Sequence, residues 1–220
     1  MNQLIPAQEG IVFADRTQAA IQLAAALIGY RDKNPLILAI PRGAVPMGAI
    51  IADELHGELD VVLVHKLLAP YQSELAIGSV NEAGWTYHAE FAEIYGDSAD
   101  YLAHEKQRQM ETIRHRRRQY TPIRPPIDPT GRIVIVVDDG LATGATMMSA
   151  LNGLRASKPA RLVCAVPVAP PDTLCRVADL ADEVVCLEAP AHFQAVGQFY
   201  QYFPQIDDEE VIEILRSSAR

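Results

Sequence analysis

Five consecutive β-branched residues, Ile133-Val134-Ile135-Val136-Val137, run straight into two acids, Asp138-Asp139, and then into the turn Gly140-Leu141-Ala142-Thr143-Gly144-Ala145-Thr146. β-Branched side chains are stiff about χ1 and suit a pleated strand better than a helix. A segment apolar at every position, rather than at alternate ones, has both faces covered, as in a parallel sheet flanked by helices. Ionised carboxylates cannot follow it into that layer, so Asp138 and Asp139 mark the strand's carboxyl edge. The glycines and threonines beyond them predict a tight turn opening a helix from Thr143 to Ala156.

The same alternation of short apolar runs with helical stretches recurs along the chain, the pattern of βαβ units. Strands are predicted at Leu36 to Ile40, Asp60 to His65, Arg132 to Val137, Arg161 to Val166 and Glu183 to Leu187. Helices are predicted at Pro46 to Leu55 and Pro171 to Ala178, with a leading helix capped by Asp15 and carrying Ala19, Ala20, Leu23, Ala24 and Leu27 on one face. An interruption of about 65 residues separates the second and third strands, too long for a plain crossover and therefore an inserted module. Leu75 to Val80 and Trp85 to His88 around Asn81-Glu82-Ala83-Gly84 read as a hairpin. Asp97 to about Gln119 reads as a polar helix with Asp97 and Asp100 as its cap, and Thr121 to Thr130, with four prolines, as an extended linker. The expected architecture is one α/β domain over residues 1–220. It has a doubly wound, mainly parallel sheet of about five strands, a hairpin-helix insertion near 70–130 and a small C-terminal hood near 188–220.

Composition narrows the function classes. Nineteen basic against twenty-eight acidic residues leave a net charge of −9, which argues against a nucleic-acid partner or an anionic membrane surface. The exception is the stretch from His104 to Arg124, with seven Lys or Arg and two Glu, including Arg114-His115-Arg116-Arg117-Arg118. Five adjacent residues cover every face of a helix and form no groove-reading stripe. Apolar stretches are strand-sized and Met1 to Gly10 shows no basic and apolar leader pattern, so a cytoplasmic chain without signal peptide is expected. Cys164, Cys175 and Cys186 lack metal-ligand clustering and are read as reduced, small core residues.

The turn after Asp139 has the chemistry of an anion cradle: backbone N–H groups and threonine hydroxyls can wrap a phosphate, and Gly144 and Ala145 offer no bulk against it. The paired acids are suited instead to the vicinal hydroxyls of a ribose or to the neighbourhood of a divalent cation. A Walker A loop would need a lysine after its last glycine and a Rossmann fingerprint would need Gly-x-Gly-x-x-Gly; neither is present.

An apolar strand, two acids and a Thr/Gly-rich loop together resemble the phosphoribosyl-pyrophosphate (PRPP) signature of type I phosphoribosyltransferases. Two further segments are similar to that superfamily: Pro41-Arg42-Gly43-Ala44-Val45-Pro46 looks like its pyrophosphate loop, and Lys66, in His65-Lys66-Leu67, stands where a strand-end lysine reaches the crevice. Pro70 to Val80 falls where those enzymes carry a mobile catalytic loop and hairpin. Over residues 12–215 the chain resembles a group of bacterial phosphoribosyltransferases of undefined acceptor, sharing Glu74 to Gly78, Val166 to Pro171 and Ala195-Val196-Gly197.

The resemblance implies a Mg2+-dependent transferase that moves 5-phosphoribosyl from PRPP to a nitrogenous acceptor such as a nucleobase and releases pyrophosphate. It implies a homodimer as well. Asp138, Asp139, Lys66 and Arg42 would carry catalysis. Asp138, Asp139, Gly140, Leu141, Ala142, Thr143, Gly144, Ala145 and Thr146 would bind PRPP; Arg42, Gly43, Ala44 and Lys66 would take the pyrophosphate; and Mg2+ would ride mainly on PRPP near Asp138 and Asp139. Ala142 stands where oxopurine enzymes carry an acid, which disfavours hypoxanthine and guanine. Glu74, Glu82 and His88 are candidate general bases. His192, Phe193, Phe199, Tyr200, Tyr202 and Phe203 are hood residues that could pack together or receive a ring. A PRPP-sensing or nucleotide-sensing regulator on the same fold, with the Arg114 to Arg118 run touching nucleic acid, is the alternative reading.

Overall fold

The computed structural model describes residues 12–88, 98–120, 122 and 125–218. Helix α1 (Arg16–Ala26) is capped by Asp15, whose carboxylate accepts from Gln18 N–H. Then follow β1 (Leu36–Ala39), α2 (Val45–Leu55), β2 (Glu58–Val61), β3 (Val64–Ala69), β4 (Gln72–Asn81), β5 (Thr86–His88), α3 (Ala99–Tyr120), β6 (Ile133–Val137), α4 (Ala145–Ala156), β7 (Arg161–Val168), α5 (Pro171–Ala178), β8 (Glu183–Glu188) and α6 (Asp208–Ser218). Five strands form one parallel sheet in the order β2-β1-β6-β7-β8, with β1 aligned on β6 through Leu36–Val134 to Ala39–Val137. This is the doubly wound architecture expected from the alternating pattern.

The period-two alternation of each strand divides the core. Ile37, Ala39, Ile135, Val137, Val163 and Ala165 pack with α1 and α2 on one face. Leu36, Leu38, Val134, Val136, Leu162 and Cys164 pack with α4 and α5 on the other. Nearly all of these side chains are fully buried, each Val, Leu or Ile contributing about 1.5–3 kcal/mol relative to exposure.

The insertion departs from expectation at its start. The segment Asp60 to His65 is two strands: β2 ends at Val61, and β3 leaves the parallel sheet to pair antiparallel with β4 in a second sheet, β3-β4-β5. The Asp60 carboxylate fixes this break by accepting from Val61 N–H at 2.7 Å and from Ile127 N–H at 2.8 Å. The expected hairpin is present, with β4 aligned on β5 from Gly78–His88 to Val80–Thr86. Its first arm begins earlier, however, so Pro70 to Val80 is mostly β4 rather than loop. Ser98, not an aspartate, caps α3: its hydroxyl accepts from Tyr101 N–H at 3.1 Å. Asp97 lies outside the described residues and Asp100 sits in the first turn. Among the cysteines, Cys164 is buried, Cys186 half-buried and Cys175 exposed, so Cys175 is not the core residue expected.

Candidate functional site

Alternation along β6 continues past its end. Val136 packs on the α4 face and Val137 on the α1 face, and Asp139, two residues after Val137, meets Arg16 of α1, while Asp138 falls in the opposite phase. The two acids are therefore steered to different neighbours by the strand itself. Both border a cleft of about 310 Å³ at the carboxyl edge of the sheet, the position where α/β sheets with a topological switch bind ligands. Its walls are the β1–α2 turn (Ile40 to Gly43), the β6–α4 turn (Asp138 to Met147), Lys66 from β3 and Val196 from the hood.

The β6–α4 turn is shaped by its glycines. Gly144 caps α4 with φ 73°, a left-handed conformation that favours glycine, and an added Cβ would lie 2.7 Å from Thr173 Cγ2. The Thr173 hydroxyl donates to Ala142 O at 2.7 Å and pins the turn from α5. Ser79 on β4 donates to Ala145 O at 2.8 Å, so the second sheet braces the same helix start.

Across the cleft, a cis peptide joins Pro41 to Arg42. Gly43 is required by close approach, because a Cβ there would stand 2.1 Å from Asp139 Oδ2. Arg42 lies 3.8 Å from Asp208 on α6. Lys66 projects from β3, not from the end of the parallel strand expected for it, yet still borders the cleft beside Arg42. Ala44 is buried at the start of α2 and is not among the cleft-lining residues, which sets it apart from Arg42, Gly43 and Lys66.

The acids differ in their environments. Burial and the neighbouring Asp139 charge push the Asp138 carboxyl well above the usual range, with Lys66 and Arg16 opposing. Burial also raises Asp139, against the Arg16 guanidinium. Arg16 contacts Asp139 Oδ2 through Nε at 2.9 Å and Nη2 at 2.8 Å. Sequence reasoning missed Arg16. The available signal was its place on the apolar face of α1, in step with Ala19, Ala20, Leu23 and Ala24. Tyr200, expected as a hood aromatic, also reaches the acid pair: its hydroxyl donates to Asp139 O at 2.7 Å.

Other expectations resolve differently. Glu82 accepts two bonds from Arg117 and borders a separate cavity of about 200 Å³, while His88 is exposed on β5 and does not line the cleft. The Glu74 side chain lies outside the described ones. Hood rings pack on one another, Phe193 on Phe199 at 5.2 Å and Tyr200 on Phe203 at 4.6 Å. In the basic run, Arg116 bonds His65 at 2.7 Å and Arg117 is half-buried among Glu82, Asp60 and Val61 O, leaving Arg114, His115 and Arg118 outward. No cluster of three or more His, Cys, Asp or Glu with metal-binding geometry occurs among the described residues. No helix among them is long and apolar enough to cross a membrane.

Comparison with known proteins follows the same lines. The model of the phosphoribosyl transferase domain matches residues 12–203. Proteins from two strains of Mycobacterium tuberculosis, provisionally named phosphoribosyl transferases, are 40% identical over 211 residues, 95% of this chain. The chain spans 47% of their length, about half. The crystal structure of TT1426 from Thermus thermophilus superposes with a TM-score of 0.80 at 42% identity, covering 96% of this chain and all of that one. A sheet-edge cleft with an acid pair and a glycine-built turn thus sits in a chain matched over nearly its whole length, which belongs to the phosphoribosyl transferase domain family.

Proposed function

We propose that the chain transfers the 5-phosphoribosyl group between PRPP and a nitrogenous acceptor, with release of pyrophosphate. The observation that carries this reading is the set of groups that line one cleft: the Thr143 to Thr146 turn at the start of α4, the Asp138–Asp139 pair, and Arg42 with Lys66. PRPP presents a chemical partner for each, a 5-phosphate, ribose hydroxyls and a diphosphate on C1.

In this reading the backbone N–H groups and threonine hydroxyls of the turn hold the 5-phosphate at the positive end of α4. Binding energy spent there fixes C1 and leaves the reacting bond free to lengthen. The acids hold the 2- and 3-hydroxyls and favour positive charge developing on the ribose. Arg42, Lys66 and the Gly43 N–H receive the diphosphate as it departs with its negative charge. Asp138 and Asp139 supply two carboxylates, fewer than an all-protein Mg2+ site uses, which fits an ion carried chiefly by the diphosphate and waters. Bound there, Mg2+ would neutralise leaving-group charge.

The acceptor side is less polar. Val196 enters the cleft from the hood, and Ala142 supplies no carboxylate beside the acids. These features favour an acceptor other than hypoxanthine or guanine. Of the basic run that supports the sensor reading, Arg116 and Arg117 are engaged inside the domain, while Arg114, His115 and Arg118 stay outward.

The test is pyrophosphate release from PRPP and Mg2+ across a panel of nucleobases and small nitrogenous acceptors, with an Asp138→Asn/Asp139→Asn double variant as blank. Acceptor-dependent release that the blank lacks is expected. PRPP binding without release on any acceptor would favour the sensor.

A further inference from the structure

Arg16 stands at the first position of α1, on the buried face, and its side chain is only 10% exposed. A guanidinium taken out of water is costly unless its donors are met. Here Nε donates to Asp139 Oδ2, Nη2 lies 2.8 Å from the same oxygen as an ion pair, Nη1 donates to Pro204 O at 2.7 Å, and the guanidinium lies 3.7 Å above the Phe203 ring. Phe203 stacks on Tyr200, and the Tyr200 hydroxyl returns to Asp139 O. The hood therefore closes a ring of contacts around a single acid, holding both its carboxylate and its main chain. Gly43 completes the enclosure, since a Cβ there would meet Asp139 Oδ2 at 2.1 Å and Arg16 Nη2 at 3.1 Å.

Two features set this apart from an ordinary buried ion pair. Both contacts fall on Oδ2, so Arg16 makes no use of Oδ1. The partner acid, Asp138, is bonded to Asp139 differently, accepting from the Asp139 N–H at 2.9 Å. Fixing Asp139 thus fixes the main chain from which the Asp138 carboxylate is oriented. We propose that Arg16 is a positioning residue: through Oδ2 it sets the acid pair for ribose hydroxyls and ties the hood to the ribose half of the cleft. The assignment rests on the phosphoribosyl reading above, and it concerns chiefly the sugar half: of the groups given to the diphosphate, Arg42 and Lys66 border the cleft outside this ring of contacts and Gly43 alone adjoins it.

A clamp of purely structural value would weaken every ligand alike or none. A positioning role separates the halves of the substrate. Calorimetric titration of wild type, Arg16→Ala and Arg16→Lys with PRPP, ribose 5-phosphate and inorganic pyrophosphate, all with Mg2+, distinguishes them. In Arg16→Ala, PRPP and ribose 5-phosphate are expected to bind about thirtyfold more weakly, with pyrophosphate unchanged. Methylguanidinium added to Arg16→Ala should restore part of that loss. Arg16→Lys keeps the charge but not the planar fork, so its loss should be intermediate. Equal weakening of all three ligands, no weakening, or unfolding of both variants by circular dichroism would overturn the positioning role. Wild-type protein that binds neither PRPP nor ribose 5-phosphate would overturn the phosphoribosyl reading itself, and the proposal with it.

Discussion

The two sheets of this domain are held by different mixtures of forces. The parallel sheet is sealed by apolar side chains: Ile37, Val134, Ile135, Val136, Val163 and Cys164 are all fully buried, and burial of this kind has no direction and no charge. The β3-β4-β5 sheet and α3 join that apolar core through Leu67, Ile77, Val80 and Ile113, and add to it a set of polar docking contacts. Arg117 bonds both Glu82 oxygens and Val61 O; Glu105, buried, accepts from Leu68 N–H and Gln109; Ser79 bonds Ser149 at 2.6 Å; and Asn81 donates to Ser149 O. Each half of the cleft inherits the character of its support. The β6–α4 turn grows from the apolar layer, whereas Lys66 is carried by the polar one. The support of Lys66 therefore depends on charge and hydrogen bonding more than the strand beneath the phosphate loop does.

The largest effect is expected from Arg117→Ala, which removes a half-buried guanidinium from between Glu82 and Asp60 and leaves two carboxylates facing a cavity. A loss of about 3–5 kcal/mol in urea unfolding is expected. Leu151→Ala in α4, at a fully buried apolar site, should cost about 2–4 kcal/mol and, unlike Arg117→Ala, the same at low and high ionic strength. Matching salt responses in the two variants would erase the distinction between the sheets.

A smaller effect comes from pH. His65 Nδ1 faces Gln109 Oε1 at 3.0 Å while Nε2 faces Arg116, so partner chemistry assigns a neutral ring with the proton on Nδ1. Burial, followed by the Arg116 charge, lowers its pKa below the usual value, with Gln109 and Asp208 opposing. The unfolded chain then binds the proton more readily, so stability is full above about pH 6.5 and falls as pH drops below it. Glu105 has the same sign at lower pH. Burial alone would raise its carboxyl, but Arg108, Gln109 and Leu68 N–H outweigh that and lower it. Its contribution is present above about pH 4.5 and is lost on further acidification. Hydrogen-exchange protection factors in β3 and α3 should therefore fall on acidification before those in β6 and β7, and His65→Gln should remove the upper part of that response. Simultaneous loss of protection in both sheets would contradict the contrast between them.

Legibility in the sequence tracks the same division. Strands β1, β6, β7 and β8 are uninterrupted apolar runs, and the turns after β1 and β6 carry the glycines and acids that mark a binding edge, so sequence alone places them within a residue or two. The polar docking is not legible, because its partners are far apart in sequence. Asp60 with Ile127, and Arg117 with Glu82, are individually ordinary surface residues until the fold joins them. The apolar run from Val61 to Val64 conceals the break between β2 and β3, since hydrophobicity continues while the hydrogen-bond partner changes. Helix α6 does carry a local signal: Asp207 and Glu210 form a reciprocal capping pair before Val211 and Leu215, although an acidic run read for charge alone looks like a solvated tail. Arg16 needs the opposite inference, that a charge on an apolar stripe has a buried partner.

Assignment of the acid pair to PRPP is tested by calorimetric titration of PRPP with Mg2+ into wild-type protein and into the Asp138→Asn and Asp139→Asn single variants, each checked for unchanged urea unfolding. A single site is expected in wild type, with affinity weakened about tenfold or more in each variant. Binding that survives both substitutions undiminished, or wild-type protein that takes up no PRPP, would contradict that assignment.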